Sequence, residues 1–349
     1  NPDLKWETTR QTNVGLDMGW LDNRISASID AYRSVTKDLL LSVDLPAQSG
    51  YSTQLRNIGS VQNTGLELQL NSVNIAREKY GWRTSLSAAK NANKVLALGV
   101  ANQIPYTGDK GISGQTGGAV MVIKVGEPLS SFYGLRTNGL YQAADTASCK
   151  LTLRRQYLDC VPGEYKYVDT NGDGKIDAND RVILGNGQPD WYGGLTNEFT
   201  VGPVNVNVFL QGSFGAEILN GPAINDRNVS NLSNQTTDAL NRWTPTNTNT
   251  NIPRANVNRP RELYDVHVED GSFIRLQSLS VAYQLPTNLL RGVDNARLVV
   301  TGQNLHVWTK YKGYDPEVNS FGGDARARGV DLGSYPHART WNIGINTSF

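Results

Sequence analysis

Long hydrophobic runs are what this 349-residue sequence lacks most: its longest unbroken apolar stretch is residues 119–123, far short of the ~18 a membrane-spanning helix needs. Histidine is scarce as well. His267, His306 and His337 stand on separate segments, none at the spacing of a zinc site. No Gly-x-Ser-x-Gly elbow or phosphate loop occurs, and Gly185-Asn-Gly187 lacks the rest of a dinucleotide fingerprint. These absences exclude the familiar hydrolase and nucleotide-dependent classes, and the chain reads as a non-enzyme. An excess of one charge is missing too: 33 basic against 32 acidic residues leave a net charge of +1, which gives no electrostatic reason to expect nucleic-acid binding. Two cysteines cannot build a disulfide framework. The polar, abrupt opening Asn1-Pro-Asp-Leu-Lys-Trp-Glu7 gives no expectation of a signal peptide. Total charge is low, 19% against roughly 25% in soluble proteins. Low charge without a hydrophobic helix requires another place for apolar surface.

Alternation provides it. Thr12, Val14, Leu16, Met18 and Trp20 alternate with polar residues or glycine, as do Ile25, Ala27, Ile29 and Ala31. The pattern recurs in Leu66, Leu68 and Leu70, in Val204, Val206, Val208 and Leu210 (with Phe209 out of step), and in Trp341, Ile343, Ile345, Thr347 and Phe349. A period of two puts one residue class on each face of a strand, and helical periodicity is nearly absent, so the chain is all-β. Short connections at 22–23, 73–80, 126–131, 201–203 and 286–295 alternate with long polar segments near 38–60, 93–118, 142–190, 216–272 and 310–339. Such loops count against an ordinary compact domain, whereas a transmembrane antiparallel β-barrel keeps short turns at one rim and long loops at the other. Aromatics fall into two groups: Trp20, Tyr80, Trp82, Phe199, Tyr283 and Phe349 at the short-turn ends, and Tyr32, Trp191, Tyr192, Trp308 and Trp341 at the long-loop ends. Two aromatic belts are what the two membrane interfaces select. About eleven strands are counted, an odd number where single-chain bacterial barrels have even ones. The first strand runs from outside to inside and the last ends inside, so the expectation is the C-terminal part of a larger barrel.

Particular residues carry a family resemblance. Asn1-Pro-Asp-Leu-Lys-Trp-Glu-Thr-Thr9, Asn57-Ile-Gly-Ser-Val-Gln-Asn-Thr-Gly65, Tyr167-Val-Asp-Thr-Asn-Gly-Asp-Gly-Lys-Ile-Asp177 and Arg242-Trp-Thr-Pro245 occur in this order. Val268-Glu-Asp-Gly-Ser-Phe-Ile-Arg-Leu276, Gly302-Gln-Asn-Leu305, Tyr314-Asp-Pro-Glu317 and Gly333-Ser-Tyr-Pro-His-Ala-Arg-Thr340 continue the series. The chain thereby resembles the SusC/RagA-type TonB-dependent outer-membrane transporters. The resemblance implies the last half of a 22-stranded barrel plugged by an N-terminal domain that these 349 residues do not contain. It further implies an outer-membrane location in a Gram-negative bacterium, outer-membrane lipid around the barrel, and import of an oligosaccharide or peptide. A SusD-like surface lipoprotein would cap the barrel, TonB would act through the plug, and two transporter–lipoprotein pairs could associate as a dimer. A secreted calcium-binding adhesion or carbohydrate-binding sandwich is the rival reading. A receptor that senses without transporting is a third.

Within the long loop at 142–190, Asp169, Asn171, Asp173, Gly174, Asp177 and Asp180 occupy positions 1, 3, 5, 6, 9 and 12 of a calcium-type loop. The Lys175 carbonyl would serve at position 7, and Asp180 stands where a longer Glu is usual. The plain alternative is a polar turn rich in its ordinary formers. Cys149 and Cys160 share this loop, and an exterior location favours a disulfide between them over two free thiols, worth about 3 kcal/mol on chain-entropy grounds. Gly344 and the terminal Phe349, among alternating apolar residues, resemble the signal read by outer-membrane assembly machinery. Substrate residues stay unassigned, with Trp191, Tyr192, Arg326, Arg328 and Tyr335 as loop residues able to offer stacking or charge.

Overall fold

In the computed structural model, the structure describes residues 4–44, 48, 50–51, 53–106, 116, 118–146, 152–153, 160–286, 293–318 and 320–348. Nine long strands form one sheet: β1 (Thr8–Trp20), β2 (Ile25–Asp44), β3 (Thr53–Ala76), β4 (Tyr80–Leu98), β5 (Trp191–Val201), β6 (Val204–Phe214), β7 (Phe273–Gln284), β8 (Asn295–Thr309) and β9 (Thr340–Ser348). They pair antiparallel in chain order, each with its sequence neighbour. Among the described residues the sheet does not close, since β1 and β9 each have a partner on one side only.

Register carries the alternation across the whole sheet. Leu16 pairs with Ile29, Ile29 with Leu68, Leu68 with Ala88, and Leu86 with Leu195. Leu195 pairs with Leu210, Val206 with Val281, Val281 with Val300, and Val300 with Ile343. One face is therefore a continuous apolar band that no second sheet covers among the described residues: Val14 is 69% exposed and Ile343 76%. The same registers send Asp17, Asp30, Glu67 and Glu198 to the opposite face. An uncovered apolar band opposite a polar face is the arrangement of a barrel wall facing lipid, and it is the reverse of a sandwich, which buries that face.

The belts survive with a correction. On the band, Trp82 stacks on Phe199 at 5.8 Å near the short turns, and the Lys90 ammonium lies 5.5 Å over the Trp191 ring at the other end. Strand from 191 to 199 rises about 26 Å at ~3.3 Å per residue, close to the ~25 Å apolar band of such barrels. Tyr32 and Tyr192, however, lie on the polar face; the Tyr32 hydroxyl donates to Asn91 Oδ1 at 3.1 Å. Both occupy positions one residue out of phase with the band, so height alone does not put them in the belt. Phe349 lies outside the described residues.

Two further corrections concern length and count. β2 and β3 run for 20 and 24 residues, about twice a membrane crossing, so most of segment 38–60, expected as loop, continues the hairpin. A bulge with Asp38 at φ 59° bends it where register shifts between Thr36 and Leu39. The wall has nine strands among the described residues and not about eleven. Residues 119–123 and the turn at 126–131 belong instead to a four-stranded sheet made of Gln103–Tyr106, Met121–Lys124, Ser131–Gly134 and Val182–Asn186.

That small sheet belongs to a folded module built from the long loops. One core gathers Val120, Met121, Phe132, Leu219, Ile224, Leu263, Ala327 and Val330 from three separate loops. A second joins Leu135, Leu140, Tyr165, Tyr167, Ile176, Trp243 and Tyr264, bringing in the loop at 142–190. Glu217–Asn220 pairs with Val268–Asp270 and, in parallel, with Val330–Asp331. Buried between the loops, Arg259 Nε donates to Glu164 Oε2 at 2.8 Å and Nη2 to Oε1 at 3.1 Å, with both side chains fully buried.

Candidate functional site

Where the module faces the polar side of the wall, a cavity of about 880 Å³ remains. The wall contributes Asn63, Asn91, Tyr192, Phe209, Gln211 and Phe273; the module contributes Leu129, Glu217, Glu317, Asp324 and Arg328. Phe209, out of step in the sequence, points here because it takes the phase of Asn205 and Asn207 and leaves that of Val208. Glycine keeps the lining close to backbone: a Cβ on Gly187 would lie 2.0 Å from the Arg328 carbonyl oxygen.

Hydrogen bonds fix the module to the wall. Leu129 N donates to Asn93 Oδ1 at 2.9 Å, and Gln211 Nε2 to Glu317 Oε1 at 3.0 Å. Arg275, brought inward by the parity of β7, donates from Nη2 to Asp315 Oδ1 at 2.5 Å, while its Nε lies 2.9 Å from Glu317 Oε2 without hydrogen-bond alignment. His337 Nδ1 completes the group, 2.9 Å from Asp315 Oδ2. Burial by itself would raise the Asp315 pKa, but bonds from the Glu317 amide, His337 and Arg275 carry it below the ordinary carboxylate value. Asp315, Glu317 and His337 are also the one group of three among the described residues whose acid or imidazole ligand atoms lie within 4.8 Å of each other. Arg275 already supplies the countercharge there, so the arrangement reads as an ion-pair clasp.

At the rim, Asp324 accepts two bonds from the Arg326 guanidinium, at 2.9 and 2.8 Å, one from the Arg326 backbone amide at 2.9 Å, and one from the Tyr106 hydroxyl at 2.6 Å. The Arg326 contact is the main cause holding the Asp324 carboxyl well below its usual range. Glu217 differs. Its Oε2 accepts the Asn186 amide at 2.6 Å, and burial, with Asp190 and Asp270 nearby, raises its pKa above the ordinary value.

The calcium-type loop is a self-bonded turn. Asp169 accepts from Gly172 N at 2.7 Å and Gly174 N at 2.8 Å, Asn171 from Asp173 N at 2.9 Å, and Asp173 from Lys175 N at 2.8 Å. These amides, Gly174 first, hold the Asp169 carboxyl below its ordinary pKa. Gly172 and Gly174 take φ of 75° and 78°, where glycine costs least. Buried Asp180 folds back on the loop's start, accepting from Thr170 N at 2.9 Å and Asp177 N at 2.8 Å. The donor set is oxygen-rich and chemically suited to a hard cation, although its carboxylates do not gather as tightly as those of the clasp. Cys160 is disulfide-bonded, while Cys149 lies outside the described residues.

Of the residues singled out for stacking or charge, Tyr192 and Arg328 line the cavity. Trp191 turns to the apolar band, Arg326 is spent on Asp324 with its guanidinium 4.9 Å over Tyr106, and Tyr335 is 91% exposed. Glu217, Glu317, Asp324 and Arg275 were missed. Inward parity was a usable signal for Arg275, whereas the others depend on how distant loops pack.

Comparison with known proteins matches the architecture. Residues 1–305 match the family described as TonB dependent receptor-like, beta-barrel. The chain belongs to that family. Membership makes it part of a Gram-negative outer-membrane protein of a non-enzymatic transporter family, and removes the secreted-sandwich reading. The chain is 38% identical over its whole length to TonB-dependent receptor P3 of Formosa agariphila, of which it covers 35%. It is 30% identical to TonB-dependent receptor SusC of Bacteroides thetaiotaomicron, of which it covers 32%. Among solved structures, the RagAB peptide transporter superposes over the whole chain with a TM-score of 0.80 at 26% identity, 36% of that chain being covered. The chain thus spans about a third of the length of the relatives it matches.

Proposed function

We propose that the whole protein imports a nutrient, an oligosaccharide or a peptide, across the outer membrane under TonB control, and that this chain supplies part of the wall and a folded roof over the substrate path. The observation that carries this reading is the cavity between polar wall and loop module, lined by amides and aromatic rings able to hold sugar hydroxyls or peptide groups. Family membership and the likeness to SusC and to the RagAB peptide transporter support it. On the same reading a SusD-like surface lipoprotein closes over the roof, TonB acts through a plug domain, and two transporter–lipoprotein pairs form a dimer. The module containing 142–190 faces the outside.

A structural calcium in the 169–180 turn fits this picture: Asp169, Asn171, Asp173, Asp177, Asp180 and the Lys175 carbonyl are its ligands, and its role is to stiffen the roof. A Cys149–Cys160 bridge stiffens the same loop. Gly344 and Phe349 act as the barrel-assembly signal. The deciding experiment is energised uptake of labelled peptides and oligosaccharides by cells carrying or lacking the full-length gene. Uptake that is equal in both strains, or that survives collapse of the proton gradient, overturns the import reading. Calorimetric calcium titration, with Asp173→Ala as control, sinks the calcium assignment if the two traces coincide.

A further inference from the structure

The cavity's charges are not all spent. Glu317 shares the Arg275 guanidinium with Asp315, 2.9 Å from its Nε, and Asp324 takes two bonds from the Arg326 guanidinium. Two lining groups of opposite sign remain. Glu217, half-buried, receives the Asn186 amide at 2.6 Å and meets no cation within 4.0 Å among the described residues. Arg328 has its backbone anchored, N donating to Ser130 Oγ at 3.0 Å, yet its exposed guanidinium makes no hydrogen bond or ion pair among the described residues.

Their placement makes the lack of pairing informative. Leu219 pairs with Val330 and Asn220 with Asp331 in parallel strands, and Glu217 and Arg328 lie two residues before that pairing, Arg328 set off from its strand by the turn at Gly329 (φ 76°). Both line the same cavity, and among the described residues no ion pair joins them. A half-buried carboxylate without a countercharge is costly, and a bound cation offsets that cost.

We propose that Glu217 and Arg328 are specificity-determining residues that select a zwitterionic ligand, Glu217 receiving an ammonium group and Arg328 a carboxylate, so that the cavity takes short peptides with free ends in preference to neutral oligosaccharides. Arg328 offers a fork matched to a carboxylate, Tyr192 and Phe209 offer surface for side chains, and the Asn and Gln amides serve the peptide backbone. The proposal rests on the import reading and narrows its substrate.

Calorimetry on the full-length transporter in detergent tests it with tetra-alanine, N-acetyl-tetra-alanine, tetra-alanine amide and maltotetraose as probes. Capping either end is expected to weaken binding at least tenfold. Glu217→Gln should abolish the penalty for acetylation while keeping that for amidation, and Arg328→Gln should do the reverse. This crossed pattern cannot come from misfolding, which would weaken all probes alike. Identical capping penalties in wild type and variants, tighter binding of maltotetraose than of tetra-alanine, or equal loss of every probe overturns the proposal. Energised import of a neutral glycan, indifferent to both variants, sinks the charge selection alone. Charge-dependent binding without energised uptake sinks the import reading alone.

Discussion

The wall and the roof of this protein obey opposite rules. In the wall, large apolar residues such as Val14 and Ile343 lie on the outside and charges turn inward. In the roof, Met121, Phe132 and Leu219 are fully buried and charges such as Glu164 and Arg259 sit inside only as a bonded pair. The amino acids are the same and the solvent differs: the band gains by meeting hydrocarbon, the roof by leaving water. A hydropathy average over both describes neither, which is why low charge without a hydrophobic helix looked contradictory in the sequence.

The sharpest way to break the comparison is inside the roof. Removing one member of its buried pair, by Arg259→Ala or Glu164→Ala, should cost about 3–5 kcal/mol because the other charge is stranded. Trypsin should then cut the loops of the full-length protein while the barrel band keeps its heat-dependent gel shift; resistance equal to wild type would refute the pair's role. In the wall the rule reverses. Leu68→Arg, on the band, should cost about 2–4 kcal/mol near the membrane midplane, whereas Gln69→Arg, one residue on and facing inward, should be nearly neutral. Urea unfolding of protein refolded into lipid reads this difference, and equal costs would contradict the assigned phase.

Acid should loosen the roof before the wall. Burial pushes the His267 pKa down from 6.5 to about 3, with Arg227 and Arg259 adding to it, so the unfolded chain binds a proton that the folded roof refuses. Stability therefore rises with pH between about 3 and 6.5 and is lost as pH falls through that window. Asp315 and Asp324, both depressed, add a loss in the same direction below about pH 4. Loop proteolysis followed from pH 7 to 4 should show it, with His267→Gln flattening the upper part of the curve. The smallest expected effect is the Trp82–Phe199 stack at the inner rim. A double-mutant cycle to Ala should return about 0.5–1.5 kcal/mol of coupling, and none if the rings only share the interface.

How much of this was legible follows from the same two solvents. Wherever one strand face meets lipid and the other water, alternation is strong, and strands such as Val204–Phe214 could be read residue by residue. Above the membrane no face of β2 and β3 meets lipid, and Leu39, Leu41 and Val61 pack against the roof, so the lipid–water contrast disappears and segment 38–60 passed for loop. Residues 119–123 are apolar for a different reason: Val120 and Met121 fill the roof core, and Ile123 a neighbouring cluster against the wall. Within the cavity, Phe209 was visible as an exception to a pattern, and the exception marked the site. Glu217 carried no such mark: it is brought to the cavity by strands whose partners are about a hundred residues apart in the chain.

That last fact sets a difference in loop closure. The Tyr106 hydroxyl reaches Asp324 across 218 residues and Ser130 Oγ bonds the Ala325 carbonyl across 195, whereas each wall strand needs only the strand beside it in the chain. Closing loops of that length costs more conformational entropy than joining neighbouring strands. Shutting the roof therefore carries a larger loop-closure cost than laying one wall strand beside the next, and residues 321–330 are where that cost falls.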